Sequence, residues 1–238
     1  MRDHSATSRV DDAGVCCRLR AHHVIATIAV VVMMVPAATQ ALESYPNDSD
    51  QLLDQQAQTW AERGKRAFIA ADYPLAVSAY SELAHLKPHD ARVFFNRGLA
   101  RRKAGDDSGA LKDFDEALSL DPKLPVALVN RARLYLSRSR IDDACADLNK
   151  AEKLRPRDPT IPFIRGMAYV QSGMLDRALT DFSRALDLDS NHSGAFTERG
   201  LVFLKLGQTR SAKKDFQTAL KLDPNNTRAL HGLGALSR

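Results

Sequence analysis

Residues 193–226 read SGAFTERGLVFLKLGQTRSAKKDFQTALKLDPNN, a stretch of 34 residues closing just beyond Pro224. The same length separates Pro88 from Pro122 and Pro122 from Pro156, and a double step of 68 residues leads on to Pro224. Ser190 stands where the intervening proline is missing. Self-similarity at a fixed period of roughly 20–50 residues marks a stack of like units rather than a closed globule. Such stacks present a long surface that commonly holds another chain.

With the proline set at position 32, five units begin at Ala57, Ala91, Pro125, Pro159 and Ser193. Position 8 is small throughout: Gly64, Gly98, Ala132, Gly166 and Gly200. Position 20 is Ala76, Ala110, Ala144, Ala178 and Ala212, and position 27 is Leu83, Ala117, Ala151, Ala185 and Ala219. Position 24 is large (Tyr80, Phe114, Leu148, Phe182, Phe216), and position 30 is Leu86, Leu120, Leu154, Leu188 and Leu222. Small residues let two helices approach closely while large ones fill the space beside them. Apolar residues recur at three- and four-residue spacing, which predicts helices with one buried face. Gly105, Gly173 and Gly207 near position 15 split the unit into helices A and B, and the proline ends helix B. Heptads are absent, and neither a simple bundle nor a coiled coil explains a proline at this period.

This pattern resembles the tetratricopeptide repeat family, whose signature places Trp or Leu at position 4, Gly or Ala at 8, Tyr at 11, Ala at 20, Phe at 24, Ala at 27 and Pro at 32. The match covers residues 57–226 and is nearly complete in the last unit, through Phe196, Gly200, Phe203, Ala212, Phe216, Ala219 and Pro224. The resemblance implies an all-α fold, a right-handed superhelical solenoid of five helix-turn-helix repeats plus a C-terminal capping helix. Ala67 and Arg101 depart from the signature at position 11, which predicts looser packing in the first two units. Pro162 at position 4 of the fourth unit is tolerable in a first helical turn. The expected organisation is residues 1–41 as signal peptide or uncleaved signal anchor, 42–56 as acidic tether and helix extension, 57–226 as the repeats and 227–238 as the capping helix. The repeats themselves span 57–90, 91–124, 125–158, 159–192 and 193–226.

Position 7 is Arg in every unit (Arg63, Arg97, Arg131, Arg165, Arg199), and position 23 is Asp in four (Asp113, Asp147, Asp181, Asp215), with Ala79 in the first. In an antiparallel pair turning near position 15 the two lie at the same height. Pairing within units leaves only Arg63 without an aspartate, whereas pairing each Asp with the next unit's Arg leaves Asp215 opposite Leu233. Within-unit struts are therefore expected, rather than an arginine ladder for acidic ligands.

The N-terminus reads differently. Arg18, Arg20, His22 and His23 precede an apolar run from Val24 to Val35, followed by Pro36 and the small-residue segment from Ala37 to Ala41. That order is the one found in a secretory signal peptide. The run is shorter than the ~18 residues of a spanning helix, so cleavage after Ala41 is expected, with an uncleaved anchor as the alternative. The chain would then be exported to the periplasm or secreted, or else anchored to the inner membrane facing outward. Removing residues 1–41 leaves 197 residues of net charge +4 and one cysteine, Cys145, which reads as a small semi-buried residue. Both charge signs are interspersed, so nucleic acid is not an expected partner. Membrane contact is expected only through the N-terminal segment if it stays attached.

No catalytic residue, metal ligand set or cofactor motif stands out. His85, His89, His192 and His231 fall near unit junctions, without metal-ligand spacing on one helix face. Gly105, Gly173 and Gly207 are single turn glycines rather than a phosphate-cradling loop, and the Asp pairs 106–107 and 142–143 begin B helices, where acidic residues suit the helix dipole. An enzyme is not expected.

The family resemblance implies that A helices line a concave groove through positions 2, 5, 9 and 12. The basic end would carry Lys65, Phe68, Arg92, Phe95, Leu99, Arg102 and Arg133, with Asn96 and Asn130 alongside. The apolar end would carry Val126, Val129, Phe163, Met167, Val170, Leu201 and Leu204. An exposed apolar strip calls for a cover, and a peptide or amphipathic helix of another protein, acidic at one end, would suit it. Family members that grip acidic chaperone tails use five set positions; here those hold Ala61, Lys65, Asn96, Val126 and Asn130, of which only Asn96 fits. The expected function is a non-enzymatic scaffold or adaptor in the cell envelope. The alternatives are a holder of unfolded or exported clients and a regulatory subunit of an envelope enzyme complex.

Overall fold

The computed structural model describes residues 48–236. The expected signal segment lies outside the described residues. Two compact units divide the chain between Gln55 and Gln56; only the start of the first helix is described in the first unit, and the second holds the repeats. Among the described residues there are eleven α-helices and no strand. The A helices are α1 (Asp48–Ile69), α3 (Ala91–Lys103), α5 (Pro125–Ser137), α7 (Thr160–Gln171) and α9 (Ser193–Lys205). The B helices are α2 (Tyr73–Leu86), α4 (Asp107–Leu120), α6 (Ile141–Leu154), α8 (Leu175–Leu188) and α10 (Thr209–Leu222), and α11 (Thr227–Ala235) follows the last of them. From α3 onward each A helix packs on the B helix after it, and each B helix on the next A helix. The fold is an all-α repeat solenoid.

Close approach of the two helices follows from the small positions. The alanines at position 20 have no exposed surface, and neither do Phe114, Leu148, Phe182 and Phe216 at position 24. A Cβ on Gly98, Gly166 or Gly200 would come within 2.7–2.8 Å of the aromatic ring at position 24 of its own unit. Only the third unit has alanine at position 8, and it alone pairs that residue with leucine, Leu148, instead of an aromatic ring. Position 30 differs from the apolar reading: Leu154, Leu188 and Leu222 are exposed, because the last residue of helix B lies at the edge of the stack.

Each A helix ends in the same way. The N–H of position 16 donates to the carbonyl of position 11, as in Asp106 to Arg101 (2.9 Å) and Met174 to Tyr169 (2.8 Å), and the residue between the helices turns left-handed. Gly105, Gly173 and Gly207 suit this, but Ala71 (φ 59°) and Ser139 (φ 57°) adopt it as well. Helix B stops at position 30 in all five units, with position 31 extended at Asp121, Asp189 and Asp223. A following proline favours that conformation. Asp189 (φ −140°) adopts it before Ser190, so packing of the next unit imposes the break even without proline.

The arginine–aspartate struts form within units, as the count of partners implied. Arg97 meets Asp113, Arg131 meets Asp147, Arg165 meets Asp181 and Arg199 meets Asp215, with closest approaches of 2.7–2.8 Å. All four aspartates are buried. The hydrogen bond that each donates to its aspartate, first of all, holds the guanidinium of Arg131 and of Arg165 above the ordinary arginine range. The remaining arm of the guanidinium reaches back to the preceding B helix: Arg131 donates to Asp115 (2.8 Å), Arg165 to Asn149 (2.8 Å) and Glu152 (2.7 Å), and Arg199 to Ser183 (3.1 Å). One arginine thus ties its own helix pair and staples it to the previous one. Arg63, which faces Ala79, lies over the Trp60 ring at 5.1 Å. Arg101 does not loosen its unit as expected; its guanidinium supplies a second cation to Asp113 at 2.8 Å.

The fifth unit is covered by α11. Gly232 lies against the Phe216 ring, where a Cβ would approach to 2.4 Å, and Ala229 is fully buried. Asn226 caps α11 by accepting from the Ala229 N–H (3.0 Å) while its amide donates to Ser193 and Thr197 of α9.

Candidate functional site

The A-helix face carries two cavities. The first, about 440 Å³, is formed by α1, α2 and α3 and collects Lys65, Phe68, Arg92 and Asn96 of the expected groove, with Ala61, Glu62, Tyr80 and Asp90 beside them. Burial, and then the Glu62 carboxylate, push the Tyr80 phenol above its usual range. Phe68 is held edge-on to Tyr73, with ring centres 5.7 Å apart.

The second cavity, about 390 Å³, brings together Arg102, Val126, Val129, Asn130 and Arg133 of the expected groove and adds Pro125, Arg155, Asp158 and Thr160. Asn130 is turned back on its own helix, its amide donating to the Val126 carbonyl (2.7 Å). Asp158 accepts from the Thr160 N–H (2.9 Å). Arg133 is exposed as a residue, yet partial burial of its guanidinium and, after that, the neighbouring Arg102 lower its pKa. Arg155 was not among the expected groove residues because it belongs to the loop after helix B; position 31 is basic here and at Lys87, against Asp121, Asp189 and Asp223 in the remaining units.

The apolar residues of the expected groove, at both ends, are more covered than their spacing implies. Phe95 packs at 5.9 Å from Phe114, and Phe163 lies between Phe182 (5.9 Å) and His192 (4.5 Å). Leu99, Val129, Val170, Leu201 and Leu204 are half-buried against the core, leaving Met167 as the apolar groove residue that is exposed, at 39 %.

The arginines inside the stack differ from the cations that line the two cavities. Arginines at position 7 of the last four units are consumed by internal aspartates. Lys65, Arg92, Arg102, Arg133 and Arg155 have no side-chain hydrogen bond or ion pair among the described residues. His192 accepts the Ala195 N–H at 3.1 Å and so serves as a helix cap. Cys145 is half-buried, and burial raises its thiol pKa.

Tetratricopeptide repeat models match residues 91–124, 129–193 and 194–226, together more than half of the chain. The chain belongs to the tetratricopeptide repeat family. This tetratricopeptide chain is 38 % identical over 61 residues to the Hsp70-Hsp90 organizing protein of Triticum aestivum, an overlap of 26 % of this chain and 10 % of that protein. It therefore spans a small part of that relative's length. Among solved structures, Pseudomonas aeruginosa pilF superposes with a TM-score of 0.70 at 16 % identity, over 78 % of this chain and 84 % of that one. YrrB, described as a TPR protein with an unusual peptide-binding site, superposes with a TM-score of 0.62 at 21 % identity, over 81 % and 95 %. At these identities the likeness is one of fold.

Proposed function

We propose that this tetratricopeptide chain is a scaffold or adaptor of the cell envelope that holds a peptide or amphipathic helix of a partner protein along its A-helix face. The observation that carries this reading is the placement of cations on the A-helix face. Lys65 and Arg92 line one cavity there and Arg102, Arg133 and Arg155 the other, whereas the position-7 arginines of the last four units are bound to internal aspartates. Cations so placed are fitted to meet another molecule. The family membership and the likeness to proteins that hold other chains support an interaction role. The envelope location rests on residues 1–41 alone.

The half-burial of the apolar end favours a dedicated partner over a general holder of unfolded chains, which needs a wide apolar strip. In-cell crosslinking of the tagged protein, with captured chains identified by mass spectrometry, separates the two. One dominant, stoichiometric partner that is lost with Met167→Glu supports the scaffold. A broad spread of sub-stoichiometric clients contradicts it.

A further inference from the structure

Three arginines from separate parts of the array converge on the 390 Å³ cavity: Arg102 in the last turn of α3, Arg133 in α5 and Arg155 in the loop joining α6 to α7. Their repeat positions are 12, 9 and 31; the chaperone-tail set read from the sequence uses position 9 in the first unit and neither 12 nor 31. Gathering like charges costs energy unless something offsets it, and nothing among the described residues does: none of the three side chains has a hydrogen bond or ion pair there. The cavity's one carboxylate, Asp158, is committed to the Thr160 amide, and the Asn130 amide to the Val126 carbonyl. Arg102 is close enough to Arg133 to disfavour its charged form, so an anion placed between the two offsets that repulsion. Pro125, Val126 and Val129 supply an apolar wall next to the cations.

We propose that this cavity anchors an acidic segment of the partner protein, with neighbouring carboxylate side chains received by Arg102, Arg133 and Arg155 and their methylenes lying on Val126 and Val129. This rests on the interaction reading above and names the chemistry of the partner. Arginine forks suit carboxylates in two-point contact. The apolar wall fits the methylenes of a glutamate side chain. No aromatic side chain lines the cavity to stack a base.

The test uses the full chain and a fluorescein-labelled, C-terminally amidated peptide of four consecutive glutamates, followed by fluorescence anisotropy, with the all-glutamine peptide as control. The expected result is saturable binding of the glutamate peptide, about tenfold or more tighter than the control. Binding weakens about tenfold in the Arg102→Gln/Arg133→Gln double variant, and also in Arg155→Gln, both with unchanged circular dichroism. Equal binding by wild type and the double variant overturns the anchor, as does no saturable binding, or displacement by inorganic phosphate at lower concentration than by unlabelled glutamate peptide. In-cell crosslinking distinguishes this failure from that of the broader reading. A partner captured equally by wild type and the double variant overturns the anchor alone, whereas capture of no partner by wild type overturns the interaction role itself.

Discussion

Arg165 and Asp181 form a two-point ion pair inside the fourth repeat, Nε to Oδ2 at 2.8 Å and Nη2 to Oδ1 at 2.7 Å, with side chains only 8 % and 7 % exposed. The same guanidinium bonds to Asn149 and Glu152 of the preceding B helix. It is therefore both a strut within one unit and a staple between two. Arg165→Ala leaves a buried aspartate without its cation, and the expected loss is about 3–5 kcal/mol in urea denaturation. Arg63→Ala, which has no aspartate opposite, should cost about 0.5 kcal/mol or less. Equal losses for the two would remove the internal strut from the account.

Gly98 and Phe114 are matched in size, since a Cβ on Gly98 would stand 2.7 Å from the ring. Gly98→Ala should destabilise by about 1–3 kcal/mol through overpacking. Adding Phe114→Leu should recover part of that loss, reproducing the pairing of Ala132 with Leu148 in the third repeat. Strictly additive losses in thermal denaturation would show that the two positions do not compete for the same space.

Ala71 takes the left-handed turn that glycine takes in three of the other repeats. Ala71→Gly should raise stability by roughly 0.5–1 kcal/mol, because the conformational strain relieved exceeds the entropy gained by the unfolded chain. Gly173→Ala at the equivalent turn should lower it by a similar amount. Thermal midpoints moving in the same direction for both variants would contradict this.

Much of the fold was legible because a repeat makes five statements of the same rule. The position-7 arginines found their own aspartates since loss of the partner in one unit, at Ala79, fixed the pairing by count. What escaped was the backward reach to Asp115, Asn149, Glu152 and Ser183, which depends on the stagger between units and has no common residue type. The turn at Ala71 and Ser139 and the helix break before Ser190 carry no glycine or proline, so packing alone sets them. On the A-helix face, spacing identified which residues share it but not how deeply Phe95 and Phe163 sink against their neighbours' rings. Arg155 lay outside the helical positions and joins the face only through the loop between repeats.

Export makes a separate prediction. Chain recovered from the envelope fraction of an expressing cell should begin at Leu42 on N-terminal sequencing. A start that retains the Val24–Val35 run in a membrane pellet would establish the anchored form, and full-length chain in the cytosol would contradict the envelope reading.

The most direct measurement places a photo-crosslinking amino acid at Lys65, Arg133 or Met167 on the A-helix face and, as a control, at exposed Lys150 on α6. The account predicts one and the same partner crosslinked from the three A-face positions and none from Lys150. Capture from Lys150 with silence at the other three would move the binding surface to the opposite side and contradict the central claim.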